Sequence, residues 1–332
     1  MGGINVKKYS FTGETLNWNG VILHRIKANI GIFFYNIRAG DLGGWIESEE
    51  NLSQYGDAWV GGEAKVYNSA HICGSVFVGE KAQVFGEANI SGIVYIMGSA
   101  QISGKSEIWG GNHSRRNPVE IYGSAQIRDS SISESASISG TSIILDSVVS
   151  NHARISGNAR ISDHAEVFGI SEVCDNSQVT GGAKVYDHAK VCGCAHVSNH
   201  AEVFGNSEVR DNSQVTDKAK VFDSASISGN SKISGEGTEI SFGNVDNKII
   251  SHYSPCYDAR AKEREEERQR RMKYEARESA RRYEGEYHPL ITYRNRKTGE
   301  IRQRYAWEPI ETEEERRERE YLEHDGPPMK YR

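Results

Sequence analysis

Fourteen hexapeptides run without interruption from Ala153 to Glu236, each reading small, any, aliphatic, any, Gly/Asp/Asn, any. The aliphatic residue falls at Ile155, Ile161, Val167 and every sixth position after them to Ile233. A period of six matches neither a 3.6-residue helix nor a plain alternating strand. It fits a short strand with one inward aliphatic side chain, closed by a turn at Gly, Asp or Asn, where positive φ costs least. Repeats of this kind stack into solenoids.

Outward positions give the coil length, because residues stacked on adjacent coils should match chemically. They match at a spacing of 18: Phe168, Tyr186, Phe204 and Phe222 form an aromatic ladder, and Glu166, Lys184, Glu202 and Lys220 alternate in charge beside it. Arg154, Glu172, Lys190 and Glu208 alternate on the next face. Opposite charges on neighbouring strands stabilise a sheet modestly, whereas like charges destabilise it. One corner reads Asn158, Asn176, Cys194, Asn212, Asn230. Three hexads per coil therefore make a triangular prism. A two-coil duplication is also visible, since AEVFGISEVCDNSQVTGGAKVYD recurs as AEVFGNSEVRDNSQVTDKAKVFD.

The register extends upstream from Ala58 to Gly111, through Val60, Val66, Ile72 and onward to Ile108. The segment NHSRRNP, residues 112–118, has no place in it, and the pattern resumes with Ile121. Two units, Ala125–Asp129 and Ser142–Asp146, are one residue short, which implies tightened corners. The expectation is about ten coils over residues 58–245, a rod on the order of 45 Å long.

These residues resemble the hexapeptide-repeat proteins that fold as single-stranded left-handed parallel β-helices. ISGNAR and VFGNSE match that motif at its aliphatic and small positions, although the second position here holds Ser, Phe, Tyr, Cys or Thr. The stretch AGDLGGWIESEENLSQYGDAWVGGEAKVY is similar to a group of prophage and bacterial hexapeptide-repeat proteins labelled transferases. The resemblance implies the left-handed coil, a homo-oligomer that is commonly a trimer, and a phage or prophage origin. A fold alone fixes no function.

The formal charge of −6 is mild. No apolar run is long enough to span a bilayer, and no charged-then-apolar leader precedes the repeats, so the expected location is cytoplasmic, in a host if the chain is phage-encoded. Five cysteines, Cys73, Cys174, Cys192, Cys194 and Cys256, show no disulfide framework. Cys174 and Cys192 stack on adjacent coils, but without an oxidising compartment they read as unlinked outward residues.

Residues 1–57 are expected to form a small β cap with a hairpin turning at Asn19-Gly20. It would close the edge of the first coil, with Trp45 and Trp59 packed at the junction. Residues 246–332 change character: 20 of the 40 Lys and Arg residues lie beyond residue 255, matched by nearly as many acids. A charged helix should start at Ser254-Pro255 and run to about Tyr283. A hairpin turning at Thr298-Gly299 and a short helix capped by Thr312 and Glu315 should follow.

Four chemical readings follow. His113 stands in the extruded loop, and GNH followed by basic residues resembles the loop of some acetyltransferases; the resemblance implies a general base, with Arg115 and Arg116 holding the phosphates of a coenzyme A thioester. The competing reading is a polar insertion that holds such residues by composition, and no other cofactor is indicated. Metal ligation is not expected: His164 with His200, and His152 with His188, lie two coils apart, roughly 9.6 Å, whereas zinc ligands sit about 2 Å from the ion. The aromatic ladder should expose an apolar strip, the usual mark of an interface, covered either by the C-terminal helix through Met272 and Tyr283 or by a second chain. On the C-terminal hairpin, Arg294, Arg296, Arg302 and Arg304 are expected on one face and Tyr293, Tyr305 and Trp307 on the other, a combination compatible with nucleic acid. The near-zero local charge favours instead a fold-back of the acidic run EEERRERE onto those arginines. The preferred reading is a non-enzymatic binding or scaffold protein, ahead of an acyltransferase and a nucleic-acid accessory protein.

Overall fold

The computed structural model describes residues 6–111 and 117–251, together with the strand backbones 290–294 and 301–305. The chain divides into two units, Met1–Ser254 and Pro255–Arg332.

The first unit is a parallel β-solenoid of about 11 turns. Three sheets of 14, 11 and 10 strands form its faces, each receiving every third strand of the repeat. Most strands in the regular part are two residues long, an outward residue followed by the inward aliphatic one. Val167 pairs with Val185, Val185 with Val203, and Val203 with Val221, so one coil is 18 residues. The last strand is Ile249–Ile250, a few residues past the expected end.

The core is a stack of columns. Val167, Val185, Val203 and Val221 are fully buried, as are the small residues of the repeat, including Ala165, Ala183, Ser171 and Ser207. Serine replaces alanine there without leaving an orphaned hydroxyl: Ser171 Oγ donates to the Phe168 carbonyl at 2.8 Å, and Ser207 Oγ to that of Phe204 at 2.8 Å. A branched side chain buried in such a column contributes about 1.5–3 kcal/mol.

The irregular units keep the register. Ile96 pairs with Ile121 across the 112–118 insertion, so the register is the same on both sides of it. The shortened units pair Ile127 with Ile144 and Ile121 with Ile138, and Asp129 and Asp146 take positive φ at the tightened corners.

At the N-terminal end, β1 (Tyr9–Trp18) and β2 (Val21–Ala28) form an antiparallel hairpin. Its turn is Asn19-Gly20, both at positive φ as a two-residue hairpin requires. β3 (Leu42–Ile46) pairs antiparallel with β2 and parallel with Lys65–Val66, and thereby joins the hairpin to the first sheet. Trp59 is fully enclosed beside Gly43, where a Cβ would come within 2.7 Å of its ring. Trp45 donates its Nε1–H to Glu63 at 3.1 Å, with the Arg25 guanidinium 5.2 Å from the ring centroid. Both tryptophans are thus packing residues of the junction.

Lys8 closes the start of the second sheet. Its ammonium is buried and donates to the carbonyls of Ala58 at 2.8 Å and Gly56 at 3.4 Å. Tyr9 beside it donates its hydroxyl to the Leu52 carbonyl at 2.7 Å. These bonds satisfy acceptors at the first coil that water or another chain would otherwise take.

In the second unit, Leu290–Arg294 and Ile301–Tyr305 pair antiparallel. The expected helices, the Thr298-Gly299 turn and Trp307 lie outside the described residues.

Two stability predictions follow from this packing. Val203→Asp buries an unpaired carboxylate in the middle of a continuous column and should unfold or aggregate the rod, read by circular dichroism and light scattering. An unchanged melting temperature would contradict the register. Burial pushes Lys8 from the ordinary 10.5 down to about 8. Between about pH 8 and pH 10.5 the unfolded chain therefore binds more protons than the folded one, so stability should rise with pH across that window. Lys8→Met should flatten that rise in urea-denaturation midpoints.

Candidate interaction surface

Phe168, Tyr186, Phe204 and Phe222 each follow an inward valine and precede a corner. The backbone places them: the Phe168 N–H donates to the Val185 carbonyl at 3.0 Å, Tyr186 to Val203 at 3.0 Å and Phe204 to Val221 at 2.9 Å. Each ring is held over the next by the strand repeat. The three successive centroid separations are 4.9, 4.9 and 5.1 Å, and the rings are parallel to within 8°. That spacing is the strand spacing of about 4.7–4.9 Å. Each aromatic contact is worth about 0.5–1.5 kcal/mol beyond the area it buries.

The stack is less exposed than its outward register suggests. Phe204 is only 4% exposed, and Phe168, Tyr186 and Phe222 are half-buried. The two inner rings are sandwiched on both faces, so the apolar strip expected from the sequence is narrower than four separate rings would make it.

The charged row is knitted to the aromatic one. Lys184 pairs with Glu166 at 3.0 Å and Lys220 with Glu202 at 3.6 Å. Tyr186 donates its hydroxyl to the same Glu202 carboxylate at 3.2 Å. On the adjoining face Lys190 pairs with Glu172 at 3.4 Å. These side chains are around two-fifths exposed, where a single pair contributes about 0–1 kcal/mol. Their value is in fixing the chemistry of the face rather than in stability.

Two further aromatic groups went unnoticed in the sequence. Tyr67 and Phe85 stack at 5.1 Å and 5°, again 18 residues apart behind Val66 and Val84, so the same column logic would have found them. Tyr35 meets Phe77 at 5.1 Å and Tyr95 at 5.8 Å and donates its hydroxyl to the Ser75 carbonyl. Tyr35 comes from a short 3-10 turn, Phe33–Tyr35, which no periodicity marks.

The remaining candidates separate. His113, Arg115 and Arg116 lie outside the described residues, as does Arg296. The hairpin register opposes Arg302 to Tyr293, Arg304 to Ile291 and Arg294 to Ile301. The side chains of these two strands lie outside the described residues, and the expected arginine face with them.

His164 approaches Asp146 at 3.3 Å. His200 lies over Gly182, where a Cβ would come within 3.1 Å of its ring. His196 contacts the Thr180 hydroxyl at 3.2 Å, and burial lowers its pKa. Each thus has a local neighbour within its own part of the rod.

The reading of the stacked cysteines is overturned. Cys174 and Cys192 form a disulfide, with Cα atoms 4.7 Å apart. Adjacent parallel strands bring in-register residues within disulfide reach, and the compartment argument used against the bond does not bear on that geometry. Asp175 lies near both sulfurs, but these are bonded to each other and not present as thiolate ligands.

The sequence matches no family model and no curated protein.

A test of the ladder compares two substitutions. Phe204→Ala removes a ring covered on both faces and should cost about 3–5 kcal/mol. Tyr186→Phe removes one partly buried hydrogen bond and should cost about 1 kcal/mol or less. Equal losses in urea denaturation would mean that the rings do not pack as a unit.

Proposed function

We propose that this chain is a non-enzymatic binding or scaffold protein, of the hexapeptide-repeat class it resembles and of phage or prophage origin, which offers the laddered face of its rod to a protein partner. The observation that carries this reading is the continuous face of stacked rings and ion pairs across four consecutive coils. Such a face repeats one chemistry at fixed spacing over a rigid support, which suits extended contact with another folded surface. The resemblance adds a homo-oligomer, a trimer by preference, and the lack of an apolar run long enough to span a bilayer supports a cytoplasmic location.

The acyltransferase reading has a different requirement. It needs a base within hydrogen-bond reach of an acceptor and a cleft for the pantetheine arm. His113 is the base that reading names, with Arg115 and Arg116 on the cofactor phosphates.

Two measurements separate the readings. By calorimetry the purified protein should show no micromolar affinity for acetyl-coenzyme A, and His113→Ala should leave its biological activity intact. Micromolar binding, with transfer to any acceptor abolished by His113→Ala, would establish the acyltransferase instead. Phe204→Lys combined with Phe222→Lys should change the mass measured by light scattering. An unchanged mass would place the interface on another face.

A further inference from the structure

We propose that Cys174 and Cys192 form a reversible dithiol–disulfide site that exchanges with low-molecular-weight thiols and disulfides, Cys174 being the sulfur they meet and Cys192 the one that closes the bond between coils. Four observations carry this. The two residues are stacked directly, with the Cys174 N–H donating to the Val191 carbonyl at 2.9 Å, so closure requires no movement of the coil. Their environments differ: Cys174 is half-buried, whereas Cys192 is 7% exposed. A small reagent therefore reaches Cys174 first.

The third observation is positional. Two coils further on, the counterparts of Cys174 and Cys192 are Arg210 and Ser228, so the coil itself does not demand sulfur there. At this same step the asparagine corner column is broken: Asn158 donates to Asn176 at 2.9 Å and Asn212 to Asn230 at 3.4 Å, but Cys194 stands between the two pairs. The covalent tie falls where the amide ladder is interrupted.

The fourth is electrostatic. An Asp175 carboxylate oxygen lies 3.8 Å from Cys174 Sγ, and the Gly193 N–H holds that oxygen at 2.9 Å. A fixed negative charge disfavours a neighbouring thiolate and leaves a neutral disulfide untouched. On the same outward rows Glu172 is paired with Lys190, and Arg210 stands one coil beyond Cys192 with Asp211 beside it over Gly193. Asp175 therefore biases the equilibrium toward the disulfide while lowering the thiolate fraction of Cys174, which suits a site that closes slowly and reopens only under reducing conditions. In reducing compartments disulfides of this kind are transient and sensory.

The exchange balances with glutathione as the co-reactant. The Cys174 thiolate attacks one sulfur of glutathione disulfide; that S–S bond breaks, a mixed disulfide forms and one glutathione thiolate leaves. The Cys192 thiolate then attacks Cys174 Sγ and displaces the second glutathione. Two protein thiols lose two protons and two electrons, and one glutathione disulfide becomes two glutathiones.

The test equilibrates the full-length protein across a series of glutathione ratios, quenches with an alkylating reagent and maps the peptides by mass spectrometry. Cys174 and Cys192 should become protected together as one two-electron couple, unchanged in Cys194→Ser. Cys192→Ser should trap glutathione on Cys174. Asp175→Asn should move the midpoint toward less reducing ratios, by an amount that grows as pH approaches the ordinary thiol range of about 8.5. The proposal is overturned if the native bond persists at every ratio and opens only on unfolding, if both thiols stay alkylated throughout, or if Cys194 carries the trapped glutathione.

Discussion

The inter-coil hydrogen bond from each outward-leading residue to a carbonyl 17 positions later is the constraint on which the molecule depends. Arg154 donates to Ser171, Glu172 to Ala189, Lys190 to Ser207 and Glu208 to Ala225, each at 2.9 Å. Every residue is thereby held above its counterpart in the neighbouring coil at one strand spacing. Sequence becomes a set of columns, and each column must be chemically consistent with itself. An inward column must be apolar or self-satisfied; an outward column must not stack like charges.

The corners obey the same rule and account for the two-coil duplication. One corner reads Gly157, Asp175, Gly193, Asp211, Gly229, all at positive φ. A Cβ on Gly157 would come within 2.8 Å of the Asp175 backbone nitrogen, and one on Gly193 within 2.8 Å of that of Asp211. Glycine is thus needed beneath each aspartate. Each aspartate in turn accepts from the next glycine, Asp175 from the Gly193 N–H and Asp211 from the Gly229 N–H, both at 2.9 Å. The column therefore alternates with a repeat of two coils, and a neighbouring corner does the same through Gly169, Asp187, Gly205 and Asp223. Duplication of 36 residues preserves this alternation, whereas duplication of 18 would replace it with a run of identical corner residues, as in the upstream glycines Gly123, Gly140 and Gly157.

What was legible in the sequence was whatever belongs to a column. The inward valines, the coil of 18, the accommodation of 112–118 and the stacked rings all follow from periodicity alone. What escaped has no column or was weighed by another argument. Lys8 and Tyr35 act from irregular segments, and their partners are backbone carbonyls, which carry no sequence signature. The disulfide was visible as an adjacent pair and set aside on grounds of compartment, although stacking at 4.7 Å is a local fact that compartment does not alter.

This organisation also bears on where function can reside. A column tolerates substitution only by residues that suit both neighbours, so most outward positions are fixed by the coil as much as by any partner. Lys184 is explained by Glu166, and Lys220 by Glu202, before any ligand is considered. A position that breaks its column has no such explanation within the repeat. Cys194 in the asparagine column is one, and Cys174 with Cys192 in a column otherwise holding Ser156, Arg210 and Ser228 are two more. In a rod built by repetition, departures from a column are the positions that stacking on neighbouring coils does not explain.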